Sequence, residues 1–153
     1  MTKGVSHMQS EKLSYPGIAG AVAGAVGLMG VLTSWFQIGG PGGTLKVDGL
    51  AHSSGKLAFA MSISLFAFSS AYVLLDDRRI RRSMAALIIA SAVMLILACF
   101  LGVTTANGAD PAVGLSLSAL GGVLGAGAGI LTLRDAPVGE VIPDDAEASA
   151  SIS

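Results

Sequence analysis

Few side chains in this sequence could do chemistry, and they are scattered. There are two histidines, His7 and His52, and one cysteine, Cys99. Asp48 and His52 stand four residues apart, a spacing that would put them on one face of a helix. Two such groups make neither a metal site, which takes about three or four protein ligands, nor an activated nucleophile. Lys46, Asp48 and His52 therefore read as parts of a solvated loop whose functional use would be contact with a partner. Cys99 lies inside an apolar run, where a thiol behaves as a small apolar group. A single cysteine also excludes an internal disulfide framework. Ser62, Ser64, Ser69, Ser70 and Tyr72 fall together in another apolar run. Hydroxyls there can bond the preceding turn or a neighbouring helix; a solute path lined by serine is the functional alternative. The chain has no GxxxxGK[ST], and the glycines around Gly125 and Gly127 lie within an apolar run with no strand before them, so a phosphate loop is excluded. No catalytic, cofactor or metal site is expected.

The elements that carry these residues follow from where charge is missing. The chain has 153 residues, of which 52% are hydrophobic and only 12% charged, and its mean hydropathy is +0.73. A soluble domain carries about 25% charged residues. So apolar a chain is neither a disordered segment nor an ordinary water-soluble enzyme. Its net charge of -1 supplies no basic field for nucleic acid. Ionisable side chains avoid hydrocarbon, and four stretches lack them: 17–36, 57–75, 84–103 and 112–133. At 1.5 Å per residue, roughly 20 residues cross a core of about 30 Å. Barrel strands are about half that length and alternate polar with apolar. The expectation is an all-α integral membrane protein, four transmembrane helices in a bundle.

Lysine and arginine near helix ends set orientation. Arg78, Arg79, Arg81 and Arg82 crowd the link between the second and third stretches, Lys3 and Lys12 precede the first, and Arg134 closes the fourth. Only Lys46 and Lys56 lie on the other side. Both termini are thus expected in the cytoplasm, in a multi-pass protein of the cytoplasmic membrane. The arginines anchor topology and can meet anionic lipid headgroups. The first stretch is longer than the apolar core of a cleaved signal and ends in Trp35-Phe36, read as an interfacial aromatic pair; it is expected to be retained. Residues 1–16 form a cytoplasmic segment, 17–134 the membrane domain, and 135–153 an acidic tail whose Ala, Ser and Pro content predicts disorder.

Glycine spacing predicts where helices touch, because small residues let backbones approach in lipid. Gly17, Gly20, Gly24 and Gly27 are spaced three, four and three, placing them on one face. In the fourth stretch Gly121, Gly125 and Gly129 form one row, beside a second of Gly114, Ser118, Gly122 and Ala126. The first and fourth helices are expected to pack closely, with each other or with a neighbouring subunit. The third stretch, with Ile88, Ile89, Leu95, Ile96 and Leu97, suits a lipid-facing helix. In the first outer loop, Gly39-Gly40-Pro41-Gly42-Gly43 marks a turn, Thr44–Val47 alternates like a strand, and Asp48-Gly49 signals a tight turn, which predicts a short β-hairpin. No span holds an ionisable residue, and proline stands only at the edges, as Pro16 and Pro111. The marks of ion-coupled carriers and broken-helix substrate sites are therefore missing.

Trp35-Phe36 ending the first helix, a glycine-rich outer loop carrying Asp48-Gly49, Gly55-Lys56 opening the second helix, and an arginine-rich inner hairpin together resemble the small four-span membrane proteins common in actinobacteria. That group has no shared activity to carry over. The four-span plan is also similar to claudin-like proteins, but their paired outer-loop cysteines are missing here. The resulting expectation is a non-catalytic accessory or scaffold subunit of a membrane complex, surrounded by lipid and bound to a protein partner or to copies of itself. The alternative is a small pore-forming homo-oligomer of the holin or channel type.

Overall fold

Backbone groups in hydrocarbon need internal partners, and the four apolar stretches meet that need as α-helices. A computed structural model describes residues 15–75, 78–106 and 109–135. Most of the expected N-terminal segment, the acidic tail beyond Asp135, and Asp76 and Asp77 lie outside the described residues. The order is α1 (Tyr15–Leu32), β1 (Ser34–Gly40), β2 (Gly43–Asp48), a 3-10 turn (Gly49–Ala51), α2 (Ser53–Leu74), α3 (Arg78–Thr105), β3 (Asp110–Pro111) and α4 (Val113–Asp135). All four helices are long and apolar enough to cross a membrane.

The helix bounds differ from the expected stretches, and two of the differences move functional candidates. Helix α1 stops at Leu32, not Phe36: Thr33 turns back on the Gly30 carbonyl with both its N–H (3.3 Å) and its hydroxyl (2.9 Å). The chain then leaves as a strand, so Trp35 and Phe36 are buried rather than interfacial. At the other end, Arg78 to Arg82 are not a link but the opening turns of α3. Arginine is a good helix former, and the α2–α3 connection shrinks to a few residues.

The helices form a ring in which α1 packs on α2 and α4, and α3 on the same two, while diagonal helices meet through long side chains such as Leu65 and Tyr72 of α2 against α4. The most extensive interface is α1–α4. There backbone meets backbone: a methyl group on Gly121 would lie 2.7 Å from Gly27 N and 2.8 Å from Ala23 O, and one on Gly30 would lie 2.5 Å from Ser118 N. Ser118 joins the contact by donating to Gly114 O (3.0 Å) in its own helix and reaching Gly27 O (3.5 Å) in α1. Against α2, Gly24 sits on the Phe66 backbone and Gly17 on Val73 and Tyr72, while Gly20 and Gly27 face Ser69 and Ser62. The partners run 73, 69, 66, 62 as the glycines run 17, 20, 24, 27, so the helices are antiparallel.

On α4 the two expected rows are redistributed. Gly114, Ser118 and Gly121 face α1; Gly122 and Gly129 face Ile96 and Ile89 of α3, and Gly125 meets Leu65 of α2 and Ala92 of α3. A helix between two partners splits its small residues into two stripes, each following its own neighbour. The third helix is likewise not simply lipid-facing. Ala85, Ile88, Ala92, Leu95, Cys99 and Gly102 are all buried, spaced three, four, three, four and three. That is the repeat of a packed seam, and it puts Ile88 and Leu95 in the core beside Leu65.

This packing separates two glycines of the same helix. Gly121→Ala must drive a methyl into the α1 backbone and is expected to cost about 1–3 kcal/mol. Gly127, around which a methyl would meet nothing within 4 Å, should accept alanine with no loss and a gain of up to about 1 kcal/mol. Thermal unfolding of the two variants in the same detergent checks this; equal midpoints would remove the α1–α4 contact as a source of stability.

Candidate functional site

With no Asp, Glu, Lys, Arg or His in residues 17–36, 57–75, 84–103 or 112–133, the structure's distinct chemistry lies at its two ends. The first end is built on Trp35. Its indole N–H donates to Gly30 O (3.2 Å), the carbonyl that Thr33 also uses. The ring fills a slot whose walls are glycines: a methyl on Gly49 would stand 2.7 Å from the indole nitrogen, and one on Gly102 would stand 3.1 Å from the ring edge. Gly55 presses on the carbonyl of Gly49, leaving no room for any side chain there. The slot is closed above by Ala112 N–H donating to Trp35 O (2.7 Å) and by Gly49 N–H donating to Thr33 O (3.4 Å).

From this anchor a three-stranded sheet spreads in the order β2-β1-β3. β1 and β2 are antiparallel, pairing Phe36 with Val47, Ile38 with Leu45 and Gly40 with Gly43, after an irregularity between Ser34 and Phe36. Gly43, at φ 124°, turns the chain in a region only glycine enters freely. β3 pairs Phe36 with Pro111 and Gln37 with Asp110, tying the link before α4 to the link after α1. Phe36 and Val47 share a face of the sheet and pack on the core. By the strand period of two, Ile38 and Leu45 continue that face outward, where they are 48% and 65% exposed.

The residues singled out as a partner loop are placed around this sheet without forming a ligand set. Lys46 is exposed on β2 opposite Gln37, and Asp48 lies opposite Ser34. The 3-10 turn separates Asp48 from His52, so the four-residue helical approach does not occur. His52 instead sets its ring edge-to-face on Phe36, centroids 5.6 Å apart, and Phe36 in turn meets Trp35 at 6.3 Å. Among the described residues no three His, Cys, Asp or Glu come together in a way that could hold a metal.

The opposite end centres on Tyr72, buried between helices. Its hydroxyl donates to Thr132 O of α4 (3.4 Å), and the Arg81 guanidinium lies 5.4 Å over its ring, a favourable cation–π geometry. Arg81 Nε also donates to Leu75 O (3.2 Å), fixing the arginine where α2 ends. Arg82 is exposed; Arg78 and Arg79 stand in the first turn of α3.

The serines of α2 do not line one path. Ser62 and Ser69 are fully buried against α1, their hydroxyls without a hydrogen-bond partner. Ser64 is half-buried and bonds Ala60 O (2.9 Å) within its own helix, while Ser70 opens onto an outer groove between α1 and α2. Cys99 is buried in the α3 seam. Spacing along one helix missed Gly30, Gly49, Gly55 and Gly102, because their common partner, Trp35 or its slot, is assembled from separate elements. The only available signal was the single tryptophan, standing between glycine-rich stretches.

No protein family, curated protein or solved structure matches this chain.

Trp35 is the one tryptophan of the chain, so its fluorescence reports the slot directly. Emission is expected to be blue-shifted and resistant to acrylamide, and Gly102→Leu, which crowds the ring, should shift emission toward the red and admit quencher. A parent protein already quenched as readily as free tryptophan would mean that the ring is at the interface instead.

Proposed function

We propose that the protein is a non-catalytic scaffold or accessory subunit of a membrane complex, and that it meets its partner through the sheet at the end of the bundle. One observation carries this reading. The glycine seams, the usual adhesive of helices in lipid, face other helices of the same chain, while on its outer side β2 pairs with no strand among the described residues. An unpaired strand edge is a template for an added strand. Leu45 and Lys46 stand exposed along it, one offering apolar contact and the other charge.

Orientation follows from the charges. Arg81, Arg82 and Arg134 sit at one end of the bundle and Lys46 and Lys56 at the other. By the excess of Lys and Arg on the cytoplasmic side, both termini are in the cytoplasm, and the sheet faces outward from the cytoplasmic membrane. The core is filled by Leu65, Ile88, Leu95 and Trp35, so a conducting path would have to run between subunits and not through one of them. This favours the scaffold over the pore.

The proposal is tested by purifying the full chain from its native membrane in mild detergent, beside Leu45→Lys. The parent should retain a stoichiometric protein partner, and the variant should lose it while keeping the parent's melting midpoint. Equal retention would remove β2 as the contact, and dye leakage from vesicles containing the purified chain alone would support the pore. With Cys99→Ala as background, Leu45→Cys should label from outside intact cells and Ile80→Cys should not.

A further inference from the structure

The groove between α1 and α2 opens toward the surrounding lipid with a volume of about 370 Å³. Ile18, Ala21 and Val22 line it from α1, and Phe66, Ser70 and Leu74 from α2. It exists because the packing beside it is so close. Gly24 seats directly on the Phe66 backbone, which turns the Phe66 ring outward, while Ala21 and Ala25 leave the facing side low.

The position of the groove along the bundle matters more than its apolar lining. Its residues on α1 run from Ile18 to Ala25, about 10 Å of helix, and three of the four, Ile18, Ala21 and Val22, lie in the half nearer the arginines. It ends at Leu74, and the next residue, Leu75, offers the carbonyl that holds Arg81 Nε. Arg81 is fixed a second time by the Tyr72 ring, and Arg82 is exposed beside it. Tyr15, 79% exposed one turn before Ile18, stands at the same level, where tyrosine favours the headgroup region. An apolar trough about two-thirds of a leaflet deep, closed by fixed positive charge, has the form of one phospholipid: a chain in the trough and a phosphate at its mouth. Asp76 and Asp77 adjoin the four arginines in sequence, leaving a net charge of two positive in that stretch.

We propose that this groove is a site for a single anionic phospholipid, one acyl chain lying against Ala21 and Ser70 and the phosphate held by Arg81 and Arg82. The site needs the bundle to be in a membrane but depends neither on its orientation nor on the partner at the sheet. Arginine suits the phosphate because its planar fork meets two oxygens at once.

The test uses the purified full chain in mild detergent, titrated separately with phosphatidylglycerol, phosphatidylcholine, water-soluble glycerophosphoglycerol and inorganic phosphate. Phosphatidylglycerol should raise the unfolding midpoint by at least about 4 °C and remain bound, one per chain, in native mass spectrometry. The other three should do neither. Ala21→Phe and Ser70→Leu fill the trough from opposite helices, and Arg81→Gln combined with Arg82→Gln removes the charge. Each should abolish the preference for phosphatidylglycerol, with the midpoint in phosphatidylcholine reporting whether the variant still folds. Equal stabilisation by the two lipids would overturn the charge part of the proposal. A shift produced by phosphate alone, or a folded trough-filled variant with its preference intact, would overturn the chain-binding part.

Discussion

The closeness of α1 to its two neighbours is the constraint on which the rest of the structure depends. In hydrocarbon, water does not push helices together, so association rests on contact between surfaces that already fit. Helix α1 meets that condition with five glycines, Gly17, Gly20, Gly24, Gly27 and Gly30, all buried. The first three lie against α2, Gly30 lies against α4, and Gly27 serves both. In water so many glycines would weaken a helix by about 1 kcal/mol each. That penalty reflects an unfolded chain with freedom to gain. A segment in lipid keeps its backbone hydrogen bonds even when separated from its neighbours, so less is lost and contact dominates.

Close approach at α1 shapes what surrounds it. Since α1 contributes almost no bulk, the interior is filled from the other side, by Leu65 of α2 and by Ile88 and Leu95 of α3. The bundle thus has a tight half and a side-chain-filled half. Ser62 and Ser69 belong to the tight half. Their hydroxyls lie where Gly27 and Gly20 come nearest, and glycine Cα–H groups are the weak donors available there. An alanine would fit as well, so nothing in the structure explains why these two positions are serine. The outer groove is the counterpart of the tight half: helices whose backbones nearly touch, with alanines on the outer flank, leave a channel beside the contact line.

How much of this could be read in one dimension depended on whether the cause was local. The four helices were legible because the absence of charge over about 20 residues is a local property with one physical meaning. The strand around Thr44–Val47 was legible for a similar reason: alternation and turn residues act over a few positions. Helix ends were not. α1 stops at Leu32 because Gly30 O receives Thr33 and Trp35 together, and the indole can do so only because Gly49 and Gly102, from two other elements, leave it room. Nor could apolarity tell protein from lipid for α3. Ile88 faces the core and Leu97 faces outward, yet both are equally at home in hydrocarbon. On α4 the glycines were visible but not their allocation, which needs the positions of two partners at once.

The same constraint bears on what the protein does. Carriers that alternate access move one part of the bundle past another, which requires interfaces with two acceptable arrangements. An interface of backbone on backbone has few alternatives, because sliding α1 along α4 would carry Gly27 and Gly30 off Gly121 and Gly114 and bring larger side chains into spaces only glycine fits. The bundle also has β3 strapped to β1 at one end and Tyr72 bonded to Thr132 at the other, so both ends resist the same motion. The sheet and the arginine cluster are therefore held at fixed separation and angle. The bundle carries a sheet at one end and arginines at the other, with no Asp, Glu, Lys, Arg or His in the apolar stretches 57–75, 84–103 and 112–133 between them. Under the proposed function, recognition at the sheet and charge at the arginines would be two fixed contacts of a single rigid piece.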